Sequence, residues 1–413
     1  MDYREYDATS IAKKEYEMTT KSVVDAAVES VDLDLAVHLC QEVSKIPSVQ
    51  GEEGQLAKFF VSKLEEFGFA EVNLQEVLPD RPNAVGEIPF GSGRRVVLTG
   101  HLDTKPVSRG WTVTDPYSGI IADNRVYGHG IMDMKGALAC QLAAMVGLAD
   151  SGLDLSGTLA FAATSDHMGQ QSGAAAYFEQ YPSDLCLLGE PTESTICLGH
   201  RGRYYYDVHV KGRSAHTCRK HQAVNANYLA ALAVIELEKS QLTPEIDDDV
   251  LKLFGAETYM SPGRIYGGLA PGGPSMIPDE CVIRVDCRPQ PGVSKEVVFN
   301  EIERCLDAAK QADDRFQADV VLADEKPGYL VDPDSEVVVL LHEAIRAARG
   351  GQTAEVTVEG WLGDTASFGS LVETVIFGPG GGPVYQADEN LSIDEIHDAT
   401  RVYAGFAAAA LSG

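Results

Sequence analysis

Three continuous apolar runs constrain the fold of this chain more than any other feature of its sequence. The runs cover residues 95–99, 157–164 and 185–188, and a stretch with helical apolar spacing, 135–149, lies between the first two. A continuous apolar run of this length is typical of a strand that is buried on both faces, as in a parallel sheet covered by helices. The sequence therefore predicts an α/β sheet.

Polar side chains follow each of the three runs. His101 comes soon after the first run, Asp166 after the second and Glu190 after the third. In open α/β sheets, ligands bind at the carboxyl ends of the strands. We therefore expect the functional site at the edge of the sheet where these three residues fall.

The pattern of the sequence changes near residue 201. The segments that follow have the order strand, helix, strand, helix, strand, at residues 203–210, 225–238, 279–288, 293–312 and 318–322. This order is similar to that of a ferredoxin-like α+β domain. Two later predicted helices, 335–349 and 396–410, would return to the first sheet. We therefore expect an N-terminal extension at residues 1–32 and a catalytic domain in two parts, 33–200 and 326–413. An inserted lid and dimerisation domain is expected at 201–325.

The formal net charge of -29 limits the partners of this protein. The chain carries 62 Asp and Glu residues against 33 Lys and Arg residues. Such a surface would repel nucleic acid and anionic membranes, so neither is an expected partner. Residues 1–32 lack the apolar core of a signal peptide, and the sequence shows no apolar run of membrane-spanning length. We expect a cytoplasmic protein in which residues 23–31 form a short helix or are partly disordered.

Eight cysteines are spread along the chain without a CxxC pair, at positions 40, 140, 186, 197, 218, 281, 287 and 305. Most of them lie in apolar segments that read as strands or helices. This pattern favours buried thiols in a reducing compartment over a disulfide framework or a thiolate metal site.

Two motifs add a specific resemblance to this outline. They are Gly-His-Leu-Asp-Thr at 100–104 and Gly-His-Gly-Ile-Met-Asp-Met-Lys-Gly at 128–136. Together they resemble the zinc amidohydrolase and exopeptidase family of acetylornithine deacetylase, succinyl-diaminopimelate desuccinylase, aminoacylase and carboxypeptidase G. The resemblance extends from about residue 33 to the end of the chain. It implies a two-domain fold, in which a phosphorylase/hydrolase-like α/β catalytic domain carries an inserted ferredoxin-like α+β dimerisation domain, and it implies a homodimer.

The resemblance assigns three metal ligands to this chain. His101, Asp133 and Glu190 match ligands of the family's first metal, with Asp133 as the bridging carboxylate. One imidazole and two carboxylates suit a single Zn²⁺ with an open position, and Co²⁺ or Mn²⁺ would also fit them. Asp103 is implied as the carboxylate that orients His101. Without the surrounding motifs, His101 would read as a surface-loop histidine and Asp133 as a helix N-cap.

The same resemblance shows where this chain departs from the family. Residues 164–169 read Thr-Ser-Asp-His-Met-Gly, where the family has Thr-Ser-Asp-Glu-Glu-Gly. His167 therefore replaces the general base, and Met168 replaces a ligand of the second metal. Tyr385 stands in the place of that metal's histidine. A thioether is a poor ligand for such cations, so we expect one metal per subunit.

His167 has three possible roles. It could act as the acid/base group with a pKa suited to neutral pH, it could bind the metal itself, or it could be drifted sequence in a dead site. His129 is a second departure, because the family commonly has arginine there. It is either a substitute ligand or an ordinary loop histidine.

The substrate side of the site is also assigned by resemblance. His216 matches a histidine that stabilises the oxyanion in the neighbouring subunit, and Asn225 belongs to the same motif. Arg288 matches an arginine near a substrate carboxylate, although pairing with Asp286 or Asp279 explains it equally well. The remaining expected substrate contacts are Gly380, within the loop 378–383, and Tyr385.

These assignments lead to a ranked set of functions. The leading hypothesis is a metal-dependent amidohydrolase that acts on an N-acyl amino acid or a small peptide, with His167, Asp103 and His216 as catalytic groups. One alternative is a non-hydrolytic enzyme on the same scaffold, which would carry out acyl transfer, amide formation or elimination. The other alternative is an inactive homologue.

Overall fold

The computed structural model describes residues 23–268, 275–381 and 384–412. The described chain divides into two compact units. The first unit comprises the described residues up to Leu198, Val331–Thr357 and those from Gly363 onward, and the second comprises Gly199–Leu330 with Val358–Leu362. Most of the predicted N-terminal extension lies outside the described residues, but residues 23–29 are helical.

The helices that follow are, in chain order, α1 (Leu33–Ser44), α2 (Gly54–Glu66), α3 (Gly136–Asp150), α4 (Ser172–Gln180), α5 (Ala226–Glu238), α6 (Asp248–Phe254), α7 (Lys295–Ala312), α8 (Glu336–Ala348), α9 (Thr365–Phe368) and α10 (Ile393–Leu411). The strands are β1 (Ala70–Leu78), β2 (Arg81–Pro89), β3 (Arg95–His101), β4 (Ile121–Ala122), β5 (Arg125–Tyr127), β6 (Thr158–Thr164), β7 (Leu185–Leu188), β8 (Ile196–His200), β9 (Arg203–Lys211), β10 (Ala215–His216), β11 (Tyr259–Gly267), β12 (Met276–Ile277), β13 (Glu280–Arg288), β14 (Ala318–Lys326), β15 (Tyr329–Leu330), β16 (Val356–Glu359), β17 (Glu373–Ile376) and β18 (Asn390–Ser392).

A mixed sheet forms the centre of the first unit, in the order β1-β2-β6-β3-β7-β17-β8. Strands β6, β3, β7 and β17 are mutually parallel, so their carboxyl ends meet at one edge. The three predicted apolar runs became β3, β6 and β7, and nearly all of their residues are buried. The sequence therefore identified the strands at whose carboxyl ends the predicted site residues lie.

Helix α3 is the core helix of the first unit. Twelve of its 15 residues are buried, and it packs against α1 and α10. By length and composition alone, the stretch Ile131–Asp150 is long and apolar enough to cross a membrane, contrary to the prediction that no apolar run reaches that length. Because 89% of its most apolar window is buried inside the protein, it has the character of the core helix of a globular protein.

The second unit contains an antiparallel sheet in the order β11-β13-β9-β14. Helices α5 and α7 pack together beside it, and a shared apolar core joins them to the sheet. Strand β11 was not predicted, because it is an edge strand that is largely exposed and includes Pro262. The predicted fold class, an α/β sheet with an inserted α+β unit, is confirmed.

Candidate metal centre

The carboxyl edge of the parallel strands gathers the polar residues that the sequence indicated. His101 is the last residue of β3, His167 lies in the turn after β6, and Glu190 follows β7. Asp133 comes from the irregular turn Ile131–Lys135, directly before α3. His101 is fully buried, and Asp133 and Glu190 are almost so.

The His101 imidazole has a fixed orientation. Its Nδ1 lies 2.8 Å from the carbonyl oxygen of Asp103, which can only accept, so Nδ1 carries the proton. Its Nε2 lies 3.0 Å from Asp133 Oδ1 and 3.7 Å from Glu190 Oε2. Burial opposes protonation of this ring, but the two carboxylates outweigh it and raise the pKa of His101 well above its usual value. The arrangement draws a positive charge, a proton or a cation, to the space beside Nε2.

The predicted role of the Asp103 carboxylate is wrong. Asp103 orients His101 through its main-chain carbonyl, while its carboxylate accepts hydrogen bonds from the main-chain N–H groups of His167 (2.9 Å) and Met168 (2.8 Å). Both oxygens of this buried side chain are thereby used to hold the turn after β6. Asp103 therefore acts on the position of His167 as well as on that of His101.

His167 lies face to face with His101. The two ring centroids are 4.1 Å apart, with an angle of 14° between the ring planes. Its Nδ1 lies 2.7 Å from Asp364 Oδ1 and 3.7 Å from Glu190 Oε1. Burial and the neighbouring His101 oppose protonation, yet Asp364 and Glu190 raise the pKa of His167 above its usual value. Sequence reasoning missed the contact between His167 and Asp364.

The donor set fits one divalent cation. Ligand atoms of His101, His167 and Glu190 all lie within 4.8 Å of one another, and Asp133 adds a carboxylate oxygen beside His101. Glu190 Oε1 is buried and has no hydrogen-bond partner among the described residues. A buried carboxylate oxygen without a donor is costly unless a cation satisfies it. The imidazole of His101 with the carboxylates of Asp133 and Glu190 forms a typical zinc donor set, and the His167 ring lies beside it.

The position of the family's second cation has a different chemistry here. Partial burial of the Tyr385 ring and the negative charges of Asp133 and Glu190 raise the pKa of Tyr385, so the phenol keeps its proton. The ring lies 5.9 Å from Lys105 Nζ. A neutral phenol is thus close to the carboxylate that would bridge two metals in the family.

Glu389 holds the turn that carries Asp133, a role that sequence reasoning missed. Its carboxylate accepts from the main-chain N–H groups of Gly130 (2.9 Å), Met132 (3.0 Å) and Asp133 (3.4 Å). Burial raises the pKa of Glu389 to about 7, against the opposing effect of these N–H donors. The one available signal was its position four residues after Tyr385, which stands in the place of the second metal's histidine.

His129 is tied to the main chain and not to the ligand group. Its Nε2 lies 2.8 Å from the carbonyl oxygen of Lys105, and its Nδ1 lies 3.6 Å from Glu389 Oε2. Burial lowers the pKa of His129. Its contacts favour the ordinary loop histidine over the substitute ligand.

Two predicted substrate-binding residues, Arg288 and Asn225, and the predicted catalytic His216 lie in the second unit, and each has a local partner. Arg288 forms a two-point pair with Asp286, at 2.8 and 3.0 Å, which is one of the alternatives stated for it. Asn225 caps α5 by accepting from the N–H of Asn227 at 3.0 Å. His216 is exposed, and its Nδ1 accepts from the N–H of Cys218 at 3.2 Å.

Gly380 belongs to the first unit, close to the turn of Asp133. Its φ of +74° is in the left-handed region, and an added Cβ would lie 2.6 Å from Met132 Cγ and 2.7 Å from Leu391 Cδ2. Its carbonyl accepts from the N–H of Glu193. Gly380 also lines a cavity of about 510 Å³ together with Met132 and Glu389. Glycine is needed here for backbone conformation and close packing.

Comparisons with known proteins identify the protein family to which this chain belongs. A profile of peptidase family M20/M25/M40 matches residues 97–409. Succinyl-diaminopimelate desuccinylase of Methylobacterium radiotolerans is 28% identical over 387 residues, covering 90% of this chain and 95% of that protein. Acetylornithine deacetylase of Aliivibrio salmonicida is 28% identical over 335 residues, covering 79% and 84%.

A solved structure shares the fold. The Bacillus subtilis YXEP protein, a dinuclear metal binding peptidase from the M20 family, superposes with a TM-score of 0.65 at 15% identity, covering 92% of this chain and 98% of that one. These matches confirm the resemblance that the motifs predicted.

Proposed function

Because this chain belongs to peptidase family M20/M25/M40, we propose that it hydrolyses the amide bond of an N-acyl amino acid or small peptide at a one-cation site. The sequence relatives include a desuccinylase and a deacetylase, whose names describe removal of an acyl group. The family supplies the reaction class, while the residues of this chain decide how that reaction is carried out.

We assign the cation to His101, Asp133 and Glu190. Zn²⁺ suits these donors, and Co²⁺ or Mn²⁺ would be accepted by the same set. When bound, such an ion acts as a Lewis acid on a carbonyl group and makes water more acidic. The observation that carries this assignment is the buried Glu190 Oε1, which has no hydrogen-bond partner among the described residues and lies beside two imidazoles.

We assign proton transfer to His167. An imidazole at the position of the family's general base can accept a proton from the attacking water and return it to the leaving amine. The ring stacks on His101 at 4.1 Å, which keeps it next to the ligand group.

His216 is proposed to donate a hydrogen bond to the oxyanion from the partner subunit of a homodimer. Asp286 would have to release Arg288 before this arginine could bind a substrate carboxylate.

The experiment measures metal content and hydrolysis on the same preparations. We expect about one equivalent of metal per chain and release of amine from N-acetyl- or N-succinyl-amino acids. The variant His167→Ala should lose at least a hundredfold in kcat, as for removal of a general base, while it keeps the metal. The matched control, His209→Ala, removes an exposed histidine of the second unit that faces Glu280, and it should leave both readouts unchanged. Two equivalents of metal, or none, would overturn the proposal.

One observation favours a second candidate function. Met168 and Tyr385 stand where a dinuclear site would need two ligands of the second metal, so activation of water by two metals is not expected. A site of this kind could transfer an acyl group to an amine instead of to water. One bound metal, no hydrolysis and turnover only when acyl donor and amine are supplied together would select this alternative. Absence of both metal and turnover would indicate an inactive homologue.

A further inference from the structure

His167 is paired with a carboxylate that lies 197 residues further along the chain. Asp364 Oδ1 is 2.7 Å from His167 Nδ1, and the Asp364 side chain is almost completely buried. Among the described residues, its other oxygen receives only a long hydrogen bond from Thr164 Oγ1, at 3.4 Å. The contact with His167 is therefore the main interaction of this carboxylate among the described residues.

The backbone around Asp364 is fixed by packing. Asp364 directly precedes α9, whose Phe368 stacks on Phe178 of α4 with ring centroids 4.0 Å apart. The side chain of Gln171 donates to the carbonyl of Gly363 at 3.0 Å, which ties this segment to the loop after β6. A carboxylate mounted in this way can impose an orientation on the ring that it touches.

The pair determines which nitrogen of His167 is available. A carboxylate only accepts hydrogen bonds, so the short contact requires a proton on Nδ1. In the neutral ring, the lone pair then lies on Nε2, the nitrogen left for accepting a proton. Because the main-chain N–H of His167 is held by Asp103 and its ring face is covered by His101, the ring has little freedom to turn over.

We propose that Asp364 is a positioning residue, which holds His167 in the tautomer that can receive a proton at Nε2. This inference rests on the proposed function, since it concerns how the base at that site is prepared. An imidazole and its carboxylate, drawn from two separate segments, together take the place of the single glutamate that the family uses. The arrangement is the histidine–aspartate half of a serine protease triad, in which the aspartate sets the tautomer and orientation of the ring.

The first test reads the tautomer directly. Protein labelled with ¹⁵N-histidine is examined by a long-range ¹H–¹⁵N correlation at a pH where the ring is neutral, and His167 is assigned by the signal lost in His167→Gln. We expect a protonated Nδ1 and an unprotonated Nε2 in the unsubstituted chain. An Nε2–H tautomer there would overturn the inference, whether or not the protein hydrolyses any substrate. Absence of hydrolysis, by contrast, would refute only the proposed function.

The second test changes the carboxylate without changing its size. The amide of Asp364→Asn can donate to Nδ1, so the proton should move to Nε2 and kcat should fall by roughly 10²- to 10⁴-fold, with KM altered by less than about threefold. Asp364→Glu should retain the Nδ1–H tautomer and recover part of kcat. The control Asp398→Asn removes a carboxylate that binds Arg349 at 2.6 and 2.8 Å in the same unit, and it should change neither readout. An unchanged tautomer and a kcat within twofold in Asp364→Asn would overturn the inference.

Discussion

Removal of Arg81 should destabilise the first unit far more than removal of an exposed arginine with an equally short ion pair. Arg81 Nη2 lies 2.6 Å from Glu53 Oε1 and 2.9 Å from Asp166 Oδ1. The side chain of Glu53 is fully buried and that of Asp166 is 6% exposed. Arg81 therefore neutralises two carboxylates that have little access to water.

The expected loss in the free energy of unfolding follows from the hydrogen-bond donors that remain to the two carboxylates in Arg81→Met. Glu53 would keep the main-chain N–H of Gly51 at 3.1 Å, and Asp166 would keep Ser172 Oγ at 2.8 Å with the N–H groups of Gln170 at 3.1 Å and Ser172 at 3.4 Å. None of these donors carries a full charge. Removal of one partner of a buried ion pair costs about 3–5 kcal/mol, so we expect a loss of this size in the free energy of unfolding.

Arg94 supplies the matched control. Its Nη1 lies 2.6 Å from Glu336 Oε1, the same separation as in the buried pair, but the side chains are 35% and 53% exposed. Exposed pairs contribute about 0.2–1 kcal/mol, so Arg94→Met should have a small effect.

Urea denaturation followed by circular dichroism measures both losses on the same scale. The double variant Arg81→Met with Glu53→Gln should regain part of the stability lost in Arg81→Met, because one buried charge is removed together with its partner. Equal losses for Arg81→Met and Arg94→Met would show that burial does not govern the strength of these pairs, and the reasoning would be refuted.

Two further predictions concern the thiols and the second metal position. Only Cys218 is exposed among the eight cysteines, so native protein should react quickly with one equivalent of a thiol reagent and denatured protein with eight, and Cys218→Ser should remove the fast phase. The combined substitutions His167→Glu, Met168→Glu and Tyr385→His should restore a second metal equivalent, since they return the general base, a carboxylate ligand and an imidazole ligand to the centre. Metal analysis that still finds one equivalent would contradict our assignment of these positions.

Local patterns predicted the elements that carry the candidate metal centre. The run 95–99 became part of β3, the run 185–188 became β7, and the predicted helix 135–149 became α3. Each of these predictions used a short stretch of sequence. A strand that is buried on both faces, or a helix that is buried on all sides, has a continuous apolar run. Because parallel strands share a carboxyl edge, His101 and Glu190 could then be placed together without knowledge of the strand order.

Contacts that depend on side-chain direction could not be predicted in this way. The sequence put an orienting carboxylate two residues after His101, yet its main-chain oxygen makes that contact and the carboxylate turns to the next loop. For Arg288 the sequence left a substrate and a neighbouring aspartate equally plausible, and the structure pairs it with Asp286. A strand that is exposed along most of its length, such as β11, leaves no apolar pattern at all.

The pairing of His167 with Asp364 shows why a changed catalytic residue is hard to interpret from its own position. A glutamate can accept a proton at either carboxylate oxygen. A neutral histidine can accept one only at its unprotonated nitrogen, and the hydrogen bond made by the other nitrogen decides which one that is. Here the partner is Asp364, which lies 197 residues after His167 in the sequence and is positioned by the packing of α9 on α4. Drifted sequence in a dead site gives no reason for a buried carboxylate to lie 2.7 Å from Nδ1, whereas a working imidazole needs such an acceptor. The geometry of the pair therefore favours a retained catalytic role for His167.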